Sequence, residues 1–378
     1  MLLHGHQAFS PQQAEIILYV ETAIDRCFGA AASAFKRRML LDTLLSPTRP
    51  AGSWTSWLLA LFAEARASSR SEETATHVRM TVSPMKLRSH GRYEFSALPS
   101  RPEGVWPSGA RLAFYVALNL EQYSFGHGLV EDLVPPLGQP DVMNYSWRDW
   151  GNRVGAWRLL EMFRELGFAP GLLVNTALYE TAPGLIESFR TLGCAIVAHG
   201  RTNAESQAGL DEAAEAALIG EASATIARHE GAPPRGWLGP WISETEQTPD
   251  LLCEAGFDYV LDWAMDDQPV WLKTRAGRIL SVPYPQELND ANAVVLRRAS
   301  GRDFADMIVD QCDEMLEHGD LQPLVLGVAL HAHVSGQPFR LRPLRLALRH
   351  ILSRGNAVWV TNTDRIASVW SSADDAGP

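Results

Sequence analysis

Cysteine is scarce: four residues in 378, Cys27, Cys194, Cys253 and Cys312, all far apart. Such spacing excludes a disulfide framework and the paired-cysteine zinc folds, and reads as small buried side chains in a reducing compartment. Basic runs are also missing, and the net charge is -11. A nucleic-acid or anionic-membrane surface needs clustered Lys and Arg, so neither partner is expected. Nor is there an apolar run near the roughly 18 residues that span a bilayer. Trp54 to Ala67 has an apolar centre and an A-x-A-like end, but lies too far into the chain for a secretion signal, and a cytoplasmic location is expected.

What is present is a globular chain, 46% hydrophobic and 20% charged. Residues 1–85, rich in Ala, Arg and Ser, contain two helix-like stretches split by Pro47 and Pro50. The first of them starts at Ser10-Pro11, a suitable cap and first helical residue. This region reads as a helical or partly disordered extension with no chemistry of its own, and its apolar positions suit an oligomerisation arm. From Arg111 on, short β-rich runs alternate with helical patterns, the signature of parallel strands joined by crossover helices.

Eight strands are expected: RLAFYVALNL from Arg111, PGLLVNT from Pro170, CAIVAH from Cys194, RGWLGP from Arg235, FDYVLDW from Phe257, RILSVPYP from Arg278, PLVLGVALH from Pro323 and NAVWVTN from Asn356. The helices between them carry readable punctuation. Leu159, Met162, Phe163 and Leu166 line one face before Gly167, Asp211 caps an Ala- and Glu-rich helix that stops near Gly231, and Thr248-Pro249 starts a short one ending at Gly256. Phe304, Ile308, Cys312 and Met315 stripe another helix, and Leu344, Leu348 and Ile351 the next. No glycine-rich nucleotide turn follows the first strand, which favours a closed (β/α) barrel over an open dinucleotide-binding sheet. The barrel is expected over 86–371, with a disordered tail at 372–378.

Barrel enzymes carry their chemistry at the C-terminal ends of the strands. Those ends present Glu121, Asn175 and Thr176, His199, Trp241, Asp262, Asn289 and His331. Taken singly, each has a bland explanation as a cap or a hydrogen-bonded structural residue. Together, one carboxylate and two imidazoles are the groups a general acid-base hydrolase needs in one cleft.

The strings WPSGARLAFYVALNLEQ, YSWRDWGNRVGAWRLLEMF, AHGRTN, RGWLGPW, LDWAMDDQPVWL, SVPYPQELND and GVALHAHVSGQPFRL, in that order, resemble the polysaccharide-deacetylase superfamily (carbohydrate esterase family 4). They look most like its branch of ureide-type allantoinases and cyclic imide hydrolases; Trp150 to Arg158 and Asp266 to Trp271 carry the branch-specific pattern. The resemblance implies a distorted (β/α)7-8 TIM-like barrel and hydrolysis of a non-peptide carbon-nitrogen bond by a water nucleophile. In metal-dependent members a divalent ion is held by one Asp and two His, with a second Asp as base and a late-strand His as acid. Here the paired aspartates fall on Glu121 and Gln122, and the H-x-x-x-H motif runs from His199 to Asn203. Only one imidazole of that ligand set survives, a poor site for zinc.

The expectation is therefore a metal-independent hydrolase with no cofactor, Glu121 as base, His331 as acid or oxyanion donor, and His199 and Asn203 binding the water or the substrate carbonyl. The alternative for the metal is zinc at His199 with Glu121. Arg153 is either a solvated helix charge or a planar clamp for ureide or imide oxygens; Asp262, Asp267 and Asn289 are acceptors for substrate N-H groups. Trp147, Trp150, Trp241 and Trp263 line the mouth or pack in the core. The partner is a small-molecule amide, imide, ureide or amino sugar, and the long Gln122 to Trp150 connection folds over the mouth. A homo-oligomer is expected. Two rival readings stand: a zinc-dependent de-N-acetylase of an amino sugar or polysaccharide, and a barrel that binds a ligand without turnover.

Overall fold

The computed structural model describes residues 88–318 and 322–375. They fall within one compact unit, Leu87–Pro378. The expectations for residues 1–85, and for Cys27 and Trp54 to Ala67, lie outside the described residues.

Among the described residues nine strands form one sheet: β1 Leu112–Leu120, β2 Gly171–Val174, β3 Ala195–Ala198, β4 Gly236–Trp237, β5 Tyr259–Val260, β6 Val270–Thr274, β7 Gly277–Ser281, β8 Leu324–His331 and β9 Val358–Val360. Their order is β6-β7-β5-β4-β3-β2-β1-β8, with β9 paired to β1. Every pairing is parallel except the β6-β7 hairpin. All eight expected strands are present. The ninth, β6, comes from the WL of DDQPVWL, where alternation over so few residues carries no strand signal.

The sheet curls towards closure because the chain on either side of the β6-β7 hairpin meets β8. Asn289 forms a parallel bridge with Ala329, Ala329 N-H donates to the Leu288 carbonyl and Val325 N-H to that of Asp267. The result is the distorted barrel of the polysaccharide-deacetylase type.

All nine residues of β1 are buried, as expected of a parallel strand covered on both faces. Its even positions, Leu112 to Leu120, pack against the helices. Its odd positions, Ala113, Tyr115 and Ala117, meet Leu173, Val197, Tyr259, Leu280, Val325 and Ala329 inside the barrel. Truncating a side chain such as Leu118 to Ala would cost about 2–5 kcal/mol. Trp106 joins the lower end of this interior, stacked obliquely on Trp359 and Trp370 with ring centroids 5.6 and 5.8 Å away. Its indole donates to the Leu324 carbonyl at 2.7 Å.

Eight longer helices surround the sheet: α1 Val142–Trp150, α2 Ala156–Leu166, α3 Pro183–Arg190, α4 Glu212–Glu230, α5 Thr248–Glu254, α6 Gly301–His318, α7 Pro338–Leu352 and α8 Thr363–Asp375. The expected punctuation is in place: Asp211 accepts from Ala214 N-H at the start of α4, and Gly167 closes α2 at φ 75°. The tail expected from residue 372 is instead helical to Asp375, and Arg278 on β7 pairs with Asp374 at 2.5 Å. Among the described residues no helix is long and apolar enough to cross a membrane.

One junction matters for the site. A widened π turn, Gly151–Gly155, joins α1 to α2 and presses on the short turn Ala332–Ser335 that follows β8. A Cβ on Gly151 would lie 2.7 Å from the His333 nitrogen, and one on Gly155 would collide with the Ala332 carbonyl. Glycine is needed twice because two backbones meet there.

Candidate active site

Continuing the odd series of β1 upward replaces Ala113, Tyr115 and Ala117 with Asn119 and Glu121. The inward register of the neighbours brings Asn175 after β2, His199 after β3 and His331 at the end of β8 to the same rim; Asn119 pairs with His331 in the ladder. These five side chains are buried. One carboxylate oxygen of Glu121, Oε1, lies 3.6 Å from His199 Nε2 and 3.5 Å from His331 Nε2.

Both imidazoles are fixed from behind. His199 Nδ1 is 2.8 Å from the Leu238 carbonyl; a carbonyl only accepts, so Nδ1 carries a proton and Nε2 is the nitrogen turned to Glu121. His331 Nδ1 is 2.7 Å from Asp290 Oδ1. Asp290, fully buried, also accepts the His331 backbone N-H on both oxygens at 3.0 Å and the Ser335 hydroxyl at 2.5 Å.

This arrangement separates the protonation states. Burial pushes the Glu121 carboxyl up, but the facing imidazoles, His331 foremost, outweigh it and hold it well below the usual carboxylate range. Burial lowers His331, yet the Glu121 and Asp290 carboxylates together keep it well above its ordinary value. A carboxylate and an imidazolium thus face each other across a gap of a few ångströms, a base and an acid in one cleft.

Around this pair the fittings are dense. Tyr123 donates its hydroxyl to Glu121 Oε2 at 2.7 Å. Asn175 accepts from Gln122 N-H at 2.8 Å, and its amide donates to the His199 carbonyl and, at 3.1 Å, to Asn203 Oδ1. His333 Nε2 pairs with Glu131 Oε2 at 2.6 Å, and the buried Arg148 lies over the Tyr123 ring, 4.8 Å from its centroid. Leu129 N-H donates to the Ala204 carbonyl, so the 122–150 connection lies across the strand ends.

The sequence-predicted residues divide. Glu121, His199 and His331 come together, with Asn203 beside them. Trp241 is at this rim too: its indole donates to the Asn203 carbonyl at 2.9 Å, while the ring is 39% exposed. Trp241 and Ile242 both hold left-handed backbone, φ 64° and 52°, a costly conformation for such side chains that clusters at functional loops.

Asp262 stands one layer behind, half-buried, accepting Gly239 N-H on its two oxygens at 2.9 and 3.1 Å. Asn289 is buried and turned to its own chain, taking Ala291 N-H at 3.0 Å. Asp267 is exposed on a cleft of about 560 Å³ at the barrel seam, beside Arg101, Asp266 and Tyr284. Arg153, with a side chain 74% exposed, pairs at 3.8 Å with Asp149 on the outside of the π turn. The structure brings neither Asp267 nor Arg153 to the Glu121 cluster. Asp290, Tyr123, His333 and Arg148 were not picked out from sequence; for Asp290 the available signal was a carboxylate directly after Asn289 in the sixth strand-end motif.

The donors do not fit the superfamily's metal. Gln122 turns away, its amide donating to the Tyr123 carbonyl and its oxygen accepting from Thr181. Asn203 Oδ1 is taken by Asn175. Of the Asp-His-His set only His199 remains, and among the described residues no group of three or more His, Cys, Asp or Glu is placed to hold a metal ion.

No family model matches the chain. A Schizosaccharomyces pombe protein assigned by name to the polysaccharide deacetylases is 26% identical over 299 residues, 71% of this chain and 92% of that protein. Among solved structures, a Pseudomonas aeruginosa PAO1 protein titled a probable polysaccharide deacetylase superposes with a TM-score of 0.63 at 26% identity, covering 72% of this chain and 94% of that one. The PuuE allantoinase gives 0.64 at 27% identity, over the same 72% and 94%. In sequence and in fold alike, the chain is similar to the polysaccharide deacetylases and to the PuuE allantoinase.

Proposed function

We propose that this protein hydrolyses a carbon-nitrogen bond of a small non-peptide amide, a cyclic ureide or imide by preference, without a metal ion. The observation that carries the reading is the shared contact of Glu121 Oε1 with the Nε2 atoms of His199 and His331, at 3.6 and 3.5 Å. A water in that gap would give one proton to Glu121 and be oriented by His199 Nε2. Its oxygen then bonds the substrate carbonyl carbon, and as the carbon-nitrogen bond breaks, the leaving nitrogen takes the proton of His331 Nε2. Transfer of the Glu121 proton to His331 restores both groups.

Two features favour a small ring over a polymer. The 122–150 connection leaves Glu121 only 7% and His331 8% exposed, which suits a ligand enclosed beneath it better than a long chain passing across. Trp241 offers a partly exposed flat face at the rim, a surface on which a planar ring stacks. Metal independence rests on the donor set: Gln122 and Asn203 supply neutral amides where anionic and imidazole ligands are needed.

The test is a turnover screen over cyclic imides, ureides, formamides and N-acetyl sugars, each with chelator and with added zinc. Hydrolysis of a cyclic ureide or imide that chelator leaves intact is expected. Turnover confined to N-acetyl sugars and dependent on zinc would overturn the reading in favour of a metal-dependent deacetylase, and binding without turnover would leave a non-catalytic barrel.

A further inference from the structure

We propose that Tyr123 is the positioning residue of the general base: its phenol clamps one oxygen of Glu121 so that the other faces the gap between the two imidazoles. This inference rests on the reading of Glu121 as base and goes beyond it, because it names what aims that carboxylate.

A glutamate is a loosely specified base. It has three side-chain torsions to freeze, and each frozen rotor costs free energy unless a partner holds it. Both carboxylate oxygens are buried with the residue, so each must be satisfied. Oε1 has the two imidazoles; Oε2 has the Tyr123 hydroxyl at 2.7 Å. Burial, then the Glu121 charge, push the phenol well above its ordinary value, so Tyr123 stays a donor and takes no part in the proton traffic.

The phenol is itself held on every side the structure records. Arg148 covers one face of its ring at 4.8 Å, and the edge of His333 meets it at a centroid distance of 6.2 Å. Asn203 is fixed by Asn175 at 3.1 Å and, through its carbonyl, by the Trp241 indole at 2.9 Å. It occupies the position of the second histidine in H-x-x-x-H, where this chain does not fit a metal. A cation orients a carboxylate by charge; here a rigid aromatic with two torsions does so by geometry.

Tyr123→Phe removes the hydroxyl and keeps the ring contacts. Hydrogen bonds to charged groups are worth roughly 10- to 150-fold, and kcat should fall by about 10- to 100-fold while KM changes less than about twofold. In a Glu121→Gln background the same replacement should alter the residual rate by less than about twofold, since Tyr123 acts only through the carboxylate. A wild-type kcat in Tyr123→Phe, or an equal factor in both backgrounds, overturns the proposal. Thermal midpoints of the two single variants and the double decide it independently of substrate: non-additive shifts support the clamp and additive shifts overturn it. If the wild type turns over nothing in the screen, the hydrolase reading fails, and this cycle still decides whether Tyr123 aims Glu121.

Discussion

The two sides of the rim around Glu121 are built alike and charged differently. On the β3-β4 side, His199 leans on a neutral carbonyl, Leu238 O, and the carboxyl behind that segment, Asp262, accepts the Gly239 N-H. On the β8 side, His331 leans directly on a carboxylate, Asp290, that is itself saturated by N-H and O-H donors. Both rings reach the same oxygen of Glu121 at nearly equal distance, so distance does not assign the roles. The partner at Nδ1 does: a carboxylate stabilises an imidazolium, whereas a carbonyl fixes a tautomer and adds no full charge.

The largest effect should come from removing the oxygen both sides share. Glu121→Gln keeps the shape and replaces one carboxylate oxygen by an amide donor, which cannot accept a proton. Loss of kcat of about 10⁴-fold is expected with the circular dichroism spectrum unchanged; near-normal turnover would end the assignment of Glu121 as base.

Next is the charge that distinguishes the sides. Asp290→Asn should lower kcat by about 10²- to 10³-fold. It should also change the pH profile in a defined direction. In the wild type kcat/KM rises as Glu121 deprotonates, below the usual carboxylate range, and falls as His331 deprotonates, above its ordinary value. Taking away the Asp290 charge removes one of the two carboxylates that hold His331 up, and the alkaline limb should move to lower pH while the acid limb stays. An alkaline limb that does not move would make His331 something other than the acid. The lost buried partner should also lower the thermal midpoint, as breaking a buried charge pair costs roughly 3–5 kcal/mol.

The matching replacement on the other side should be mild. Burial first, then Glu244, pushes the Asp262 carboxyl well above its ordinary value, and Glu244 is itself pushed up to about 7. The folded state thus binds protons that the unfolded chain releases, so these groups cost stability as pH rises from the ordinary carboxylate range through about 7. Asp262→Asn keeps an acceptor for Gly239 and drops the charge. A kcat within about threefold of wild type, with a higher thermal midpoint than wild type at pH 8 and a smaller difference at pH 5, is the expected result. A loss as large as that of Asp290→Asn would erase the contrast between the two sides.

Much of this was legible before the fold. The strand ends named Glu121, His199 and His331 because the two-residue period of a strand fixes which residues point inward, and the same alternation turns β1 from Tyr115 and Ala117 to Asn119 and Glu121. What stayed hidden depends on registers that periodicity does not set. Asn289 and Asp290 are adjacent, and only the bridge to Ala329 decides that the second, not the first, meets His331. Tyr123 follows an apolar strand and reads as core until its hydroxyl is seen on Glu121. Gln122 and Asn203 announced a missing ligand, but not the Asn175 amide that holds Asn203 there.

Arg153 offers the smallest effect and the clearest use of helix geometry. Five residues separate it from Arg148, about 140° around an ideal helix, so the two cannot share a face. Arg148 is the buried one, over Tyr123; Arg153 is exposed, paired with Asp149 at 3.8 Å across a surface where such pairs contribute about 0–1 kcal/mol. Arg153→Ala should leave kcat and KM within about twofold of wild type, whereas Arg148→Ala removes the cation from the face of the ring that aims the base and should lower kcat by more than tenfold. Should Arg153→Ala instead raise KM strongly, the planar clamp expected for ureide oxygens would have to reach a substrate from the outer surface of the π turn. The mouth of the barrel would then extend well past the rim drawn by Glu121, His199 and His331.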